Sequence, residues 1–180
     1  TIHKLLDADL VLISPRSKSS ISMSGFPKRR LIQAMAQEDV LSVAPVNMNY
    51  LLWRNPENLK TRSILALGFN PEDSLLLDED FSSKAEKLKN PGRVLFDTLS
   101  RPEFGPIEEW FLQGKTIETE VAGKRIKVVG LVELGPSFGA DGNLITSRET
   151  FLQLMPTNPR GSIEIGLIKL NDTADPLFVS

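Results

Sequence analysis

An α+β fold is what this sequence predicts, and three observations predict it. Apolar runs rich in β-formers recur at residues 8–14, 40–53, 62–69 and 93–97. Apolar and polar residues alternate over residues 117–132 and again over 162–170. Helical spacing shows only in short stretches, beginning near Pro27, Ser83 and Ser147.

From the N-terminus, ADLVLIS at residues 8–14 reads as a short buried strand ended by Ser14-Pro15. A serine-rich loop follows, with Arg16, Lys18, Lys28, Arg29 and Arg30 and no acidic residue between Asp9 and Glu38. Its plain reading is a solvated loop, and its sharper one a docking surface for lipid headgroups or a partner. Pro27 suits a first helical turn, where a missing N–H costs nothing. Leu31, Ile32 and Met35 then share one helical face, and Asp39 closes that helix. Residues 40–53 form a long strand, bent or edged at Pro45, and complete a strand–helix–strand unit.

Asn55-Pro56 turns the chain into the strand at 62–69. After the polar loop NPEDSLLLDEDF, Ser83 and Glu86 have capping-box spacing for a short helix ended by Asn90-Pro91-Gly92. RVLFD at 93–97 is a strand, followed by a Pro- and Gly-containing loop to Pro106. Ile117, Thr119 and Val121 point one way and Glu118 and Glu120 the other. Ala122-Gly123 turns this strand into a hairpin, whose pattern continues through Ile126, Val128 and Val132 across Gly130. NLITS is a further strand, after which Ser147 caps a helix carrying Phe151, Leu152 and Met155 and stopped by Pro156. The strand at 162–170 precedes NDTADPLFVS, where a second strand–helix–strand unit is expected to begin. The sequence thus reads as an excised piece of something larger.

Composition narrows the function. Apolar residues at 41% and charged ones at 24% fit a globular chain of 180 residues, which needs no covalent staples. A formal charge of −2 creates no field favouring nucleic acid. With no cysteine, disulfides, thiolate metal sites and cysteine nucleophiles are excluded. The single histidine, His3, excludes a multi-histidine metal site and argues against a His-dependent triad. No apolar run is long enough to span a membrane.

Five glycines lie between residues 123 and 147, but they do not make a phosphate loop. Gly130 and Gly135 have P-loop separation, yet Pro136 and Ser137 stand where the chemistry requires Lys and Ser/Thr. Gly135-Pro136-Ser137-Phe138-Gly139 matches a nucleophile elbow in its letters. It lacks the helix that should follow, and its one candidate base, His3, precedes it, so a hydrolase using Ser137 is an alternative reading, beside a stand-alone lipid- or ligand-binding module, and not the main one. Asp78, Glu79 and Asp80, with Glu108 and Glu109, read as solvated loop charges, since adjacent carboxylates do not face one another across a substrate. Asp141-Gly142-Asn143 is only a fragment of a calcium loop and reads as a turn. Trp53, Trp110, Phe111 and Phe138 read as core rather than as stacking platforms.

Three blocks carry a resemblance: LALGFNPED at 65–73, VLFDTLSRPEFGPI at 94–107 and ADGNLITSRETFLQLMP at 140–156. Together they resemble the extracytoplasmic domain of DevC-like permeases, within the MacB/LolC/FtsX-type ABC transporter family. GKRIKVVGLVELG is similar to the hairpin of the broader family. The resemblance implies a porter-like βαβ lobe (residues 1–50 plus 162–180) with an inserted β-rich lobe (51–161). It also implies a periplasmic segment of an inner-membrane protein, a permease that dimerises and docks a membrane-fusion adaptor. ATP would bind a separate ATPase subunit, so this domain would hold no catalytic residue, cofactor or metal. DevC-like members are associated with glycolipid export. The basic set Arg16, Lys18, Lys28, Arg29 and Arg30 is the candidate partner-contact surface.

Overall fold

The computed structural model describes residues 8–15, 17, 24–73, 79–135 and 140–171. Its first unit comprises β1 (Leu10–Ile13), the two-residue β2 (Phe26–Pro27), α1 (Lys28–Ala34) and the 15-residue β3 (Val40–Arg54). β4 (Thr61–Phe69), α2 (Glu79–Glu86), β5 (Arg93–Asp97) and α3 (Ile107–Leu112) follow. The hairpin is β6 (Ile117–Val121) and β7 (Lys124–Val132), and then come β8 (Asn143–Ser147) and α4 (Arg148–Leu154). β9 (Ser162–Ile163) and β10 (Ile165–Leu170) complete the described chain.

One sheet in the order β1-β10-β3-β4-β8-β5-β7-β6 organises everything. β10 runs antiparallel to both β1 and β3, so β1 and β3 are parallel with β10 inserted between them. With α1 as their crossover, this is a split β-α-β unit, in line with the α+β reading. β3 then changes partners along its length: residues 40–46 pair with β10, and residues 47–54 with β4. Pro45 sits in the stretch that has β10 alone, where a missing N–H costs no ladder bond on the other side.

Beyond Asn47 the sheet curls until β6 meets β3 at Trp53↔Val121. Strands β3, β4, β8, β5, β7 and β6 thereby close on themselves as a small barrel. Its interior is packed with Trp53, Ile64, Phe96, Val128 and Leu144, and Phe104 and Ile107 join this core. Outward-facing Leu65, Leu67, Leu95 and Ile145 form a second core with Phe81, Ala85 and Leu88, on and just after α2. β4 from Ile64 onward and all of β8 are buried on both faces, which is why β4 reads as a continuous apolar run and not as alternation. A third, smaller core lies under α1, where Leu31 packs with Phe26, Ile163 and Ile168.

The structure corrects the sequence reading in six places. β1 is an edge strand with Val11 58% and Ile13 46% exposed, not a buried one. On α1 only Leu31 is buried, while Ile32 and Met35 are each 54% exposed, because the helix ends at Ala34 before a second inward turn forms. α2 begins at Glu79, so Ser83 is inside the helix and caps nothing. α3 occupies the loop around Glu108 and Glu109. Val132 does not share the face of Ile126 and Val128: the β5–β7 register slips between Val94 and Leu95, and Val132 joins the outer core while Val128 stays inside. The 162–170 segment is two strands, broken at the buried Glu164.

The hairpin turn is a two-residue loop, with Ala122 at φ 51° and Gly123 at φ 72°. Both positive φ values are what a type I′ turn requires, and alanine is the poorer of the two occupants. Ala122→Asn is expected to raise stability by about 0.5–1 kcal/mol, read from the urea midpoint at unchanged m-value. Ser147 caps α4 as its sequence position implies, its Oγ accepting from Thr150 N at 3.2 Å. α4 lies tight on β4 because Gly68 has no side chain: a Cβ there would come within 2.5 Å of Phe151 Cβ.

Candidate functional site

Of the basic set singled out from the sequence, Lys28, Arg29 and Arg30 form the first turn of α1. Arg16 and Lys18 lie outside the described residues. Three cations at a helix start oppose its dipole, so helix stability does not explain them. Beside them is an apolar hollow of about 450 Å³ lined by Leu12, Ile13, Phe26 and Pro27, with Arg30 as its cation. Lys28 is near enough to Asp73 to favour that carboxylate's charge, but burial dominates and pushes the Asp73 carboxyl up from its ordinary range.

The other candidates separate. Ser137 and Phe138 lie outside the described residues, as do His3 and Asp78. Glu108 and Glu109 are adjacent in the first turn of α3, both exposed, with Glu109 bonded to Gln113 at 3.0 Å. Trp53 is fully buried and donates its indole N–H to Phe104 O at 2.9 Å, and Trp110 and Phe111 pack partly buried against the barrel core. Among the described residues no group of three or more His, Asp or Glu side chains is placed to hold a metal.

Asp141 and Asn143 are not calcium ligands in waiting. Asp141 takes Arg62 at 2.5 Å and Arg101 at 2.9 Å, and Arg62 also lies 5.7 Å from the Phe104 ring centre. The Arg62 hydrogen bond, with smaller help from both guanidinium charges, holds the Asp141 carboxyl below its ordinary range. A depressed folded-state value means stability present above the unfolded value near 3.8 and lost as pH falls through the folded one. Asp141→Asn is therefore expected to flatten the acid limb of the stability–pH curve below about pH 4. Parallel urea titrations at pH 3, 4 and 6 check this.

Asn143 turns inward. Its Nδ2 donates to Asp97 Oδ2 at 2.7 Å and to Gly135 O at 2.9 Å. Asp97, fully buried at the end of β5, accepts with Oδ1 from Leu134 N at 2.9 Å and from Leu99 N at 3.2 Å. This pair ties Leu134 and Gly135, past the end of β7, to β5 and β8. Nothing in the residue spacing reveals it, because Asp97 and Asn143 are 46 residues apart.

A polar groove that sequence reasoning missed runs along α4. It has a volume of about 580 Å³ and is lined by Lys124, Arg148, Gln153, Asn158 and Arg160, with Asn70 across from them in sequence. A second hollow of about 440 Å³ continues it through Asn70, Arg148 and Glu149 to Asp73 and Lys89. Glu164, buried at 5% exposure behind the first hollow's Asn158, accepts from Asn47 Nδ2 at 2.9 Å and Met48 N at 3.0 Å, tying β9 and β10 to the middle of β3.

No protein-family model matches the chain, and no curated protein sequence does. Solved structures do. The extracellular domain of the ABC-type transporter YknZ from Gram-positive bacteria aligns with a TM-score of 0.55 at 11% identity, over 91% of this chain and 83% of that one. The periplasmic region of MacB from Actinobacillus actinomycetemcomitans aligns with a TM-score of 0.53 at 16% identity, over 92% of this chain and 75% of that one. Among the described residues no helix is long and apolar enough to cross a membrane. The split β-α-β unit and the barrel inserted between its strands β3 and β10 are thus the fold of the extracytoplasmic domains of MacB-like and YknZ-type ABC transporter permeases.

Proposed function

We propose that this chain is the periplasmic domain of an ABC export permease and performs no chemistry itself. The observation that supports the reading most is the likeness to YknZ and MacB domains, which extends over more than nine-tenths of the chain and so takes in both parts of the fold. In this reading residues 1–50 with 162–180 form the porter-like lobe, and 51–161 the inserted lobe. β3 runs as one continuous strand from the first into the second, and Glu164 clamps its middle. Such a lever suits a domain that carries movement, driven by ATP hydrolysis on a separate subunit, to a periplasmic membrane-fusion adaptor. The cargo in this proposal is a lipid, a glycolipid or another exported molecule, glycolipid being what the DevC-like blocks imply, and the permease works as a homodimer. No cofactor is assigned to the domain.

Lys28, Arg29 and Arg30 are the proposed partner contacts, together with Arg16 and Lys18, which lie outside the described residues. The test uses the full permease with its ATPase, reconstituted in vesicles with and without a membrane-fusion adaptor. Adaptor-dependent stimulation of ATP hydrolysis is expected. Reversal of Lys28, Arg29 and Arg30 to Glu is expected to weaken adaptor binding at least tenfold while basal hydrolysis stays unchanged. Unchanged affinity would remove α1 from the interface, and absence of any adaptor response would remove the coupling role.

A further inference from the structure

We propose that the groove along α4 is a docking site for an extended acidic segment of a partner protein, with a carboxylate seated among Lys124, Arg148 and Arg160. The inference does not rest on the permease reading, since it follows from the groove alone. Three cations line a hollow of about 580 Å³ that holds one carboxylate, Glu149, in a chain whose formal charge is −2. None of the three forms an ion pair with a described residue, whereas Arg54, Arg62, Lys89 and Arg101 elsewhere do.

Two of the cations, Lys124 and Arg148, are also held in place. Lys124 Nζ donates to Gln153 O, and Arg148 Nη2 donates to Arg160 O at 2.6 Å. These backbone acceptors carry no negative charge, so they orient the side chains and leave the charge unneutralised. Arg148 Nε is buried without a hydrogen-bond partner. Burial lowers the guanidinium's pKa from its ordinary value, with Glu164 and Asp73 opposing from a distance. A partly desolvated cation gains from an incoming carboxylate that offsets its charge.

The shape selects a peptide over a small ion. The groove is long, passing Arg148 into a second hollow of about 440 Å³. Asn70, Gln153 and Asn158 offer side-chain amides along the first hollow, suited to the N–H and C=O groups of an extended backbone, and Leu152 and Pro156 give it apolar floor. In the second hollow Glu72 and Asp73 add negative charge, so a basic residue further along the segment would be accommodated there.

The test is a titration of the isotope-labelled chain with acetyl-Glu-Leu-Glu-Gly-Lys-amide, its Gln-for-Glu counterpart and inorganic phosphate, followed by amide NMR. Saturable shifts at Gln153, Asn158 and Arg160 are expected with the acidic peptide, at least tenfold weaker with the Gln peptide and absent with phosphate. Arg160→Glu and Lys124→Glu, both at exposed positions, are expected to weaken binding at least fivefold with the rest of the spectrum unmoved. Equal binding of the Gln peptide, no shifts at all, or phosphate binding as tightly as the peptide would each overturn the proposal. So would shifts that persist in both variants.

Discussion

Asp97→Ala is expected to destabilise the chain by about 3–5 kcal/mol, the largest loss from any polar side chain among the described residues. The carboxylate is fully buried, and its four hydrogen bonds come from Leu99 N, Leu134 N, Gly135 N and Asn143 Nδ2. Alanine removes every acceptor at once and leaves those donors in a space too enclosed for bulk water to replace it. Asn143 then keeps only Gly135 O for its Nδ2, while its Oδ1 is already without a partner. Asp97→Asn separates charge from shape. One of its two carboxylate oxygens becomes an amide NH2 facing either Asn143 Nδ2 or the Leu134 N–H, donor against donor, so about half of the alanine effect is expected. Urea unfolding of both variants checks the magnitudes. Amide exchange at Leu134 and Gly135 is expected to accelerate most, since these N–H groups have lost their acceptor. A loss below 1 kcal/mol for the alanine variant would mean that the network is not what holds β5, β8 and the end of β7 together.

How far the sequence alone discloses such features depends on the distance over which their partners are separated. The β6–β7 hairpin was legible because its signals are local: alternation from Ile117, a two-residue turn at Ala122-Gly123, and a register that follows from both. α4 was legible from Ser147 and Pro156, a cap and a stop. β1 was misread as buried because four apolar residues in a row look the same at a sheet's edge and at its centre. The slip between Val94 and Leu95 could not be read from β7 at all, since it appears only when β5 lies alongside. The barrel closure, the Asp97–Asn143 pair and the Arg62–Asp141 contact join residues 46 to 79 positions apart and leave no periodic trace. The α4 groove stayed hidden for the same reason: Lys124 reaches it from the hairpin, Asn70 from the end of β4, and Arg160 from the loop after α4. The family resemblance supplied the architecture that local patterns could not, while each cation's position had to come from the fold.

Trp53→Ala is expected to cost about 3–5 kcal/mol, and Trp53→Phe about half of that. Trp53 has no exposed surface, lies 5.3 Å from the Phe96 ring, and donates to Phe104 O at 2.9 Å. Alanine opens a cavity inside the barrel and deletes that bond; phenylalanine keeps most of the packing and loses the donor. The position adds a consequence that an ordinary core residue would not have. Trp53 is the β3 residue opposite Val121, so it stands at the single bridge that closes the barrel, whereas β3 and β4 are paired continuously from Asn47↔Gly68 to Arg54↔Thr61. A seam of one bridge, supported by Ala122 N donating to Leu52 O at 2.8 Å and Thr119 Oγ1 to Arg54 O at 2.5 Å, has little pairing to resist a cavity beneath it. The β6–β3 edge should therefore open before the barrel unfolds. Amide exchange is expected to rise at Ala122 well beyond the rise at Leu65, which stays in the β4 ladder. Equal acceleration at both sites would show that the seam is as firmly held as the rest of the sheet, and that Trp53 stabilises the barrel through its volume alone.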